Sequence, residues 1–164
     1  MNINGMEIER KYMIAMPDKA FLQTLDKSEI VQTYLVGDKG ATERVRKRGL
    51  PGCYVYTHTV KYKISNMSRR EEEREITRDE YELLLKRADP ERNTIEKIRY
   101  CHEHAGLTWE IDVFPFWDDK AFMEVELENE MQVLDFPPEI RIIRELTDDK
   151  RYTNAALAKQ IPVD

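Results

Sequence analysis

The run Glu7-Ile8-Glu9-Arg10-Lys11 lies in an alternating stretch, residues 6–13, that reads as a β-strand. A strand sends successive side chains to opposite faces, so Glu7, Glu9 and Lys11 share one face at roughly 6.6 Å per two residues. Two carboxylates and an ammonium in a row cost free energy to bury without partners. Taken alone, the run fits a solvated strand face as well as a site that holds a cation beside an anion.

Other strands repeat the arrangement. Arg44, Arg46 and Arg48 share a face, and Thr59-Val60-Lys61-Tyr62-Lys63 alternates two lysines with apolar residues. Glu71, Glu73 and Glu75 line up, as do Lys97 and Arg99, Glu110 and Asp112, and Glu124, Glu126 and Glu128. Like charges side by side repel, so solvated faces usually mix signs. Here each strand carries one sign. Acidic strands then call for divalent cations and basic strands for a polyanion. The alternation fits charges lining a barrel interior, with Val60, Ile98, Ile111 and Val125 outside beneath two helices, and it also fits a sandwich with charges facing water. Segregation of sign favours the interior.

The 164 residues suit one domain with its own core. Charged residues make up 35% and hydrophobic ones 41%, the balance of a very charged surface or a charged cavity. A net charge of −6 argues against general nucleic-acid binding, which needs a basic surface. The first five residues lack the pattern of a secretory signal, and no apolar run reaches membrane-span length. Cys53 and Cys101 have no metal spacing, so reduced thiols and a cytoplasmic location are expected.

Residues 17–25 read as a short helix opening near Pro17, and residues 30–36 as a second strand. A turn at Gly37-Asp38-Lys39-Gly40 leads to a third strand, 42–48, and the Gly49-Leu50-Pro51-Gly52 connection to a fourth, 54–64. A polar loop, 65–68, precedes strand 69–76, and Thr77-Arg78-Asp79-Glu80 is a capping box opening a helix to about Ala88. Strands are expected at 94–102, 107–114 and 122–128, a helical turn at 129–134, an extended segment at 140–146, and a small helix at 153–160. The expected fold is mainly antiparallel β with a few helices, an eight-stranded closed barrel.

His102-Glu103-His104 beside Cys101 suggests zinc, but the run precedes the Ala105-Gly106 turn and reads as an exposed hairpin end, so zinc is rejected. Trp109, Phe114, Phe116 and Trp117 read as core rather than a base-stacking surface. No phosphate-binding glycine loop and no nucleophile–base triad is evident.

With these residues in hand, the chain resembles the CYTH superfamily, the triphosphate tunnel metalloenzymes, most closely its short bacterial inorganic triphosphatases. The resemblance rests on Glu7-Ile-Glu-Arg-Lys11 followed in order by Gln32-Thr-Tyr34, Arg44-Val-Arg46, Thr59-Val-Lys61, Arg69 with Glu71 and Glu73, Glu96-Lys-Ile-Arg-Tyr100, Glu110-Ile-Asp112, Glu124-Val-Glu126 and Asp149-Lys-Arg-Tyr-Thr-Asn154. It implies an eight-stranded tunnel, a linear triphosphate substrate, and Mg²⁺ or Mn²⁺. Arg44, Arg46, Lys61, Arg69, Lys97, Arg99 and Lys150 would then bind phosphate oxygens, the arginines in bidentate fashion. Glu7, Glu9, Glu124 and Glu126 would hold the metal through oxygen, with Asp112, Glu71 and Glu73 as further metal or orienting candidates. Lys11 with Tyr34 resembles a pair proposed to activate water; a lysine among carboxylates is expected to stay protonated, so phosphate binding competes with that role. Thiamine triphosphatase, nucleoside triphosphatase and class IV adenylyl cyclase are related alternatives, and the missing Asp after Gln32-Thr counts against cyclisation. A non-catalytic polyphosphate- or nucleotide-binding module is the alternative from another class. The expected partner is a small-molecule triphosphate, with no nucleic acid and no membrane; monomer and homodimer both remain open.

Overall fold

The computed structural model describes residues 6–37, 40–65 and 67–163. Asp38 and Lys39 of the expected turn, Asn66 of the polar loop and the first five residues lie outside the described residues.

Charge goes inside. Strands β1 (Met6–Ala15), β2 (Asp26–Tyr34), β3 (Ala41–Gly49), β4 (Val55–Lys63), β5 (Ser68–Ile76), β6 (Ile95–His104), β7 (Leu107–Val113) and β8 (Lys120–Glu126) form an antiparallel sheet in the order β5-β4-β3-β2-β6-β7-β8-β1. A β5–β1 pairing closes it into the expected barrel. A short β9 (Ile142–Glu145) adds to β1 beyond the point where β5 leaves it, matching the extended segment expected there. Closure removes the exposed strand edges that would otherwise template pairing with another chain.

The apolar faces point outward and most are covered there, though on β4 Val60 is only half-buried and Tyr62 is exposed. Tyr12, Ile14, Trp109, Ile111, Met123 and Val125 are almost fully buried on the outer face of β1, β7 and β8. Their cover comes from helix α1 (Lys19–Leu22) and from the segment 127–142, whose Phe136 ring lies 5.3 Å from Tyr12 and 5.5 Å from Trp109. The sequence placed a helical turn at 129–134; the chain makes a single turn there, closed by the Gln132 N–H on the Asn129 carbonyl at 3.3 Å, and continues without regular structure to Pro137. Helix α2 (Arg78–Leu84) covers Val45, Tyr56 and Ile76 with Tyr81, and its capping box at Thr77 and Glu80 forms as expected. A tight 3-10 turn, Leu85–Arg87, continues it.

α1 is shorter than the sequence suggested, because Asp18 makes no side-chain cap and the Thr24 hydroxyl donates to the Phe21 carbonyl, ending the helix. β2 instead starts earlier, paired with β6 from Asp26 onward. At the β3–β4 connection Gly49 has φ +141°, and a Cβ there would collide with the Cys53 carbonyl oxygen. Only glycine fits that position without strain.

One end of the barrel is plugged. Helix α3 (Asn154–Lys159), capped by the Thr153 hydroxyl on the Ala156 N–H at 3.1 Å, packs Leu157 and Ala158 with Tyr34, Ile95, Phe114, Trp117, Phe122 and Tyr152. Phe114 and Trp117 lie in this core and Trp109 in the one outside β1, β7 and β8, as read from the sequence, whereas Phe116 is exposed against Phe114 and Trp117.

Candidate active site

The inward faces enclose a cavity of about 320 Å³. Because directly paired residues share a face, the register sets the neighbours: Glu9 opposite Glu126, Lys11 opposite Glu124, Glu7 opposite Arg69, Lys61 opposite Glu71. Lys11 and Tyr34, the basic residues Arg44, Arg46, Lys61, Arg69, Lys97 and Arg99, and the acidic residues Glu7, Glu9, Glu71, Glu73, Glu124 and Glu126 all line this one cavity.

Two expected members stand elsewhere. Asp112 is 1% exposed and lies behind the cavity wall, where its carboxylate accepts from Arg99 at 2.7 and 2.9 Å and meets Lys97 at 2.8 Å. Lys150 is exposed, in a 3-10 turn (Lys150–Tyr152) outside the cavity lining. Its neighbours Thr153, Asn154 and Ala155 reach the cavity instead.

Further residues line or support the cavity beyond the candidates the sequence singles out. Thr42, Lys63 and Glu110 stand two positions from Arg44, Lys61 and Asp112, so the two-residue period already placed them on the same faces. Asn154 caps the Lys97 ammonium with its side-chain oxygen at 3.2 Å. Gln32 is fully buried: its amide oxygen takes Arg46 at 2.8 and 3.1 Å, and its amide nitrogen donates to the Tyr34 hydroxyl at 3.0 Å. Thr59 donates to Glu73 at 2.8 Å.

Lys11 is held by a different set of groups than the sequence implied. Its ammonium donates to the Tyr152 carbonyl at 2.6 Å, lies 4.0 Å from the Phe122 ring centre, and is 3.6 Å from Glu124. Burial pushes its pKa down, against the pull of Glu124 and Glu9. Desolvation outweighs the neighbouring carboxylates here, so Lys11 is less firmly protonated than its acidic neighbours alone imply.

The cavity carboxylates are shifted in opposite directions. Burial, a hydrogen bond with Glu71 and the charge of Glu9 push Glu7 up to about 10, in spite of Lys61. Burial also raises Glu124, with Glu9 adding to it. Burial would raise Glu9 too, but Lys61, Arg69 and Lys11 outweigh it and hold it at about 2. Glu7, hydrogen-bonded with Glu71, is thus biased toward its protonated form, and a divalent cation bound beside it would favour the ionised form instead. The donors are all hard oxygens, which suits Mg²⁺ or Mn²⁺. Among the described residues no three His, Cys, Asp or Glu side chains form a ready ligand group, so such a cation would draw further oxygens from water and a bound anion. On the basic wall, burial and the charges of Arg44 and Arg99 push Arg46 down to about 9, which leaves it cationic at neutral pH.

His102 and His104 are half-buried, not exposed as the sequence suggested, because the segment 127–142 crosses them with Glu139 and Asp135 at 3.8 and 3.9 Å.

A closed barrel whose inward faces carry cations on some strands and carboxylates on others is the architecture of the triphosphate tunnel class. No family model matches the chain. A protein named inorganic triphosphatase from Acetivibrio thermocellus is 36% identical over 157 residues, 94% of each chain. A second of that name, from Nitrosomonas europaea, is 34% identical over 160 residues, 95% of this chain and 99% of its own. The crystal structure of the inorganic triphosphatase NE1496 superposes with a TM-score of 0.60 at 32% identity, covering 96% of this chain and 97% of its own. The chain belongs to the inorganic triphosphatase family of the CYTH superfamily.

Proposed function

We propose that this protein hydrolyses the terminal phosphoanhydride of inorganic triphosphate, with Mg²⁺ or Mn²⁺ bound beside the substrate. One observation carries the reading: eight cationic and seven acidic side chains line a single cavity. Neither set is stable alone, and both are satisfied when a polyanion and a divalent cation sit between them.

In this reading Arg44, Arg46, Lys61, Arg69, Lys97 and Arg99 bind phosphate oxygens, while Glu7, Glu9, Glu124 and Glu126 hold the cation. Glu71 orients Lys61 at 3.4 Å, Glu73 is fixed by Thr59, and Asp112 orients Lys97 and Arg99 rather than touching metal. Lys150 has no part. When bound, the cation supplies Lewis-acid polarisation and neutralises charge on phosphate oxygens. Water attacks the terminal phosphorus in line; the new O–P bond forms as the bridging P–O bond breaks, and the basic wall takes up charge on the leaving diphosphate. Lys11, brought closer to neutrality by burial, is the candidate to receive the proton of that water.

Tyr34 is the one aromatic residue lining the cavity among the described residues. A nucleobase or thiazolium ring finds little there to stack on, which favours inorganic triphosphate over ATP or thiamine triphosphate. No helix among the described residues is long and apolar enough to cross a membrane, and the two free thiols support a cytoplasmic location.

Initial rates of orthophosphate release from inorganic triphosphate, ATP and thiamine triphosphate, each with Mg²⁺ or Mn²⁺, test the reading. Inorganic triphosphate is expected to give the highest kcat/KM. A higher value for either of the other two would contradict the substrate assignment.

A further inference from the structure

The stretch Asp149-Lys-Arg-Tyr-Thr-Asn154 belongs to the family resemblance, yet its candidate phosphate ligand, Lys150, stands outside the cavity. The segment grips Lys11 instead. The Lys11 carbonyl accepts from the Leu146 N–H at 2.7 Å, and the Lys11 N–H donates to the Thr147 hydroxyl at 3.0 Å. From there the chain turns back, with the Asp149 N–H on the Leu146 carbonyl at 2.9 Å and the Tyr152 N–H on the Asp149 carbonyl at 3.2 Å. That turn brings the Tyr152 carbonyl to 2.6 Å from the Lys11 ammonium.

Asp149 ties the turn from outside the cavity lining. One carboxylate oxygen accepts from the Arg151 N–H at 3.1 Å and its Nε at 3.0 Å; the other accepts from Arg151 at 2.8 Å and Arg144 at 3.4 Å. Arg144 also donates to the Tyr152 hydroxyl at 3.1 Å, and the Arg144 and Arg151 guanidiniums lie 5.1 and 5.2 Å from the centre of the Tyr152 ring. Tyr152 itself is fully buried against Phe122. An ammonium on a flexible four-carbon stem has no fixed geometry of its own, so the acceptors around it decide where the nitrogen sits. A backbone carbonyl does this without adding negative charge beside Glu124.

We propose that Asp149 is a positioning residue: by folding this turn it places the Tyr152 carbonyl, and through it the Lys11 ammonium, in the cavity wall. The proposal rests on the triphosphatase reading only for what Lys11 then does to the substrate.

The test compares wild type, Asp149→Ala and Asp149→Asn. Asparagine keeps an oxygen for the Arg151 N–H, whereas alanine removes the cap and both arginine contacts. The position of Lys11 is read by NMR in EDTA at one fixed pH. The Phe122 ring centre lies 4.0 Å from its nitrogen, so the ring current shifts the ε-methylene signals of Lys11, which Lys11→Arg assigns. Asp149→Ala is expected to move these signals toward those of a free lysine, and Asp149→Asn to hold them nearer to wild type. On triphosphate with Mg²⁺, Asp149→Ala is expected to lose about tenfold in the parameter that Lys11→Ala changes, kcat or KM, and Asp149→Asn to recover most of it. The double variant Lys11→Ala/Asp149→Ala is expected to be no worse than Lys11→Ala alone, because residues acting through one another do not add. Unmoved Lys11 signals in Asp149→Ala, or losses that add in the double variant, would overturn the proposal. If Asp149→Ala fails to fold, Arg144→Met, which removes one contact from Asp149 and one from Tyr152, carries the same comparison. Wild type that turns over no triphosphate would contradict the catalytic reading; the NMR comparison still decides the placement of Lys11.

Discussion

Lys97 and Asp112 form an ion pair at 2.8 Å with 0% and 2% of their side chains exposed. The same carboxylate holds Arg99 through both of its oxygens. Two cations of the basic wall are thus fixed by one acid that never reaches the cavity. Burial would raise the Asp112 pKa, but Arg99 and Lys97 outweigh it and keep the group ionised. Asp112→Asn leaves Lys97 without its buried counter-charge and Arg99 with Glu110 alone, and breaking a buried pair in this way costs about 3–5 kcal/mol. The expected outcome is a clear fall in melting temperature together with about a hundredfold loss of kcat/KM from misplaced phosphate ligands. A variant of unchanged stability and activity would show that Asp112 does not organise the wall.

Lys11 separates two roles by substitution. Arginine preserves charge and reach but gives up protons far less readily than lysine. If Lys11 accepts a proton from water, Lys11→Arg loses about a hundredfold or more in kcat with KM little changed. If Lys11 only binds phosphate, Lys11→Arg retains turnover while Lys11→Ala raises KM. Steady-state kinetics of the two variants decide between these.

Gln32 links Arg46 to the Tyr34 hydroxyl from a fully buried position. Gln32→Leu keeps the volume and removes both hydrogen bonds. The expected result is about a tenfold rise in KM for triphosphate, because Arg46 loses its orientation, with a stability cost of about 1–3 kcal/mol for unpartnered polar groups. An unchanged KM would place Arg46 outside the substrate contacts.

Stability should fall on the acid side. Burial raises Glu43, but His58 at 2.6 Å and Arg87 at 2.8 Å outweigh it, so its pKa lies below the ordinary range. The hydrogen bond from Arg10 lowers Glu145, and Asp112 is lowered as described. A carboxylate with a depressed folded pKa binds protons more readily in the unfolded chain. Its stabilisation is complete above about pH 5 and is lost as pH falls through the folded values. Glu7 has the opposite sign: raised to about 10, it favours the folded state below the ordinary carboxylate range and gives up that stability as pH climbs toward 10. Melting temperatures across pH 2.5–9 are expected to peak between the two limbs. A flat profile down to pH 3 would contradict the assigned pairs.

The strand alternation of charge carried the barrel, since a period of two and one prevailing sign on most strands leave one economical packing: charges in, apolar residues out, many of them under α1, α2 and the segment 127–142. That alternation puts Lys11, Arg44 and Glu124 on inward faces, the family resemblance adds Tyr34, and all four line one cavity. What stayed illegible depends on depth along a shared face. Asp112 and Glu110 have the same strand parity, yet Glu110 lines the cavity and Asp112 lies behind Lys97 and Arg99. Parity gives the face and says nothing of which side chain is covered by its neighbours. Gln32 was read as part of a motif and not as a support, because its role comes from a cross-strand pairing with Arg46. The half-burial of His102 and His104 follows from the crossing of 127–142, a long-range contact that no local pattern announces.

The most direct measurement is orthophosphate release from inorganic triphosphate by wild type and Glu9→Ala, with Mg²⁺ or with EDTA. Rapid release with Mg²⁺, none with EDTA, and a loss of about a hundredfold or more in Glu9→Ala are predicted. No release by wild type under any condition, with triphosphate still raising its melting temperature, would contradict hydrolysis and leave a polyphosphate-binding module in its place.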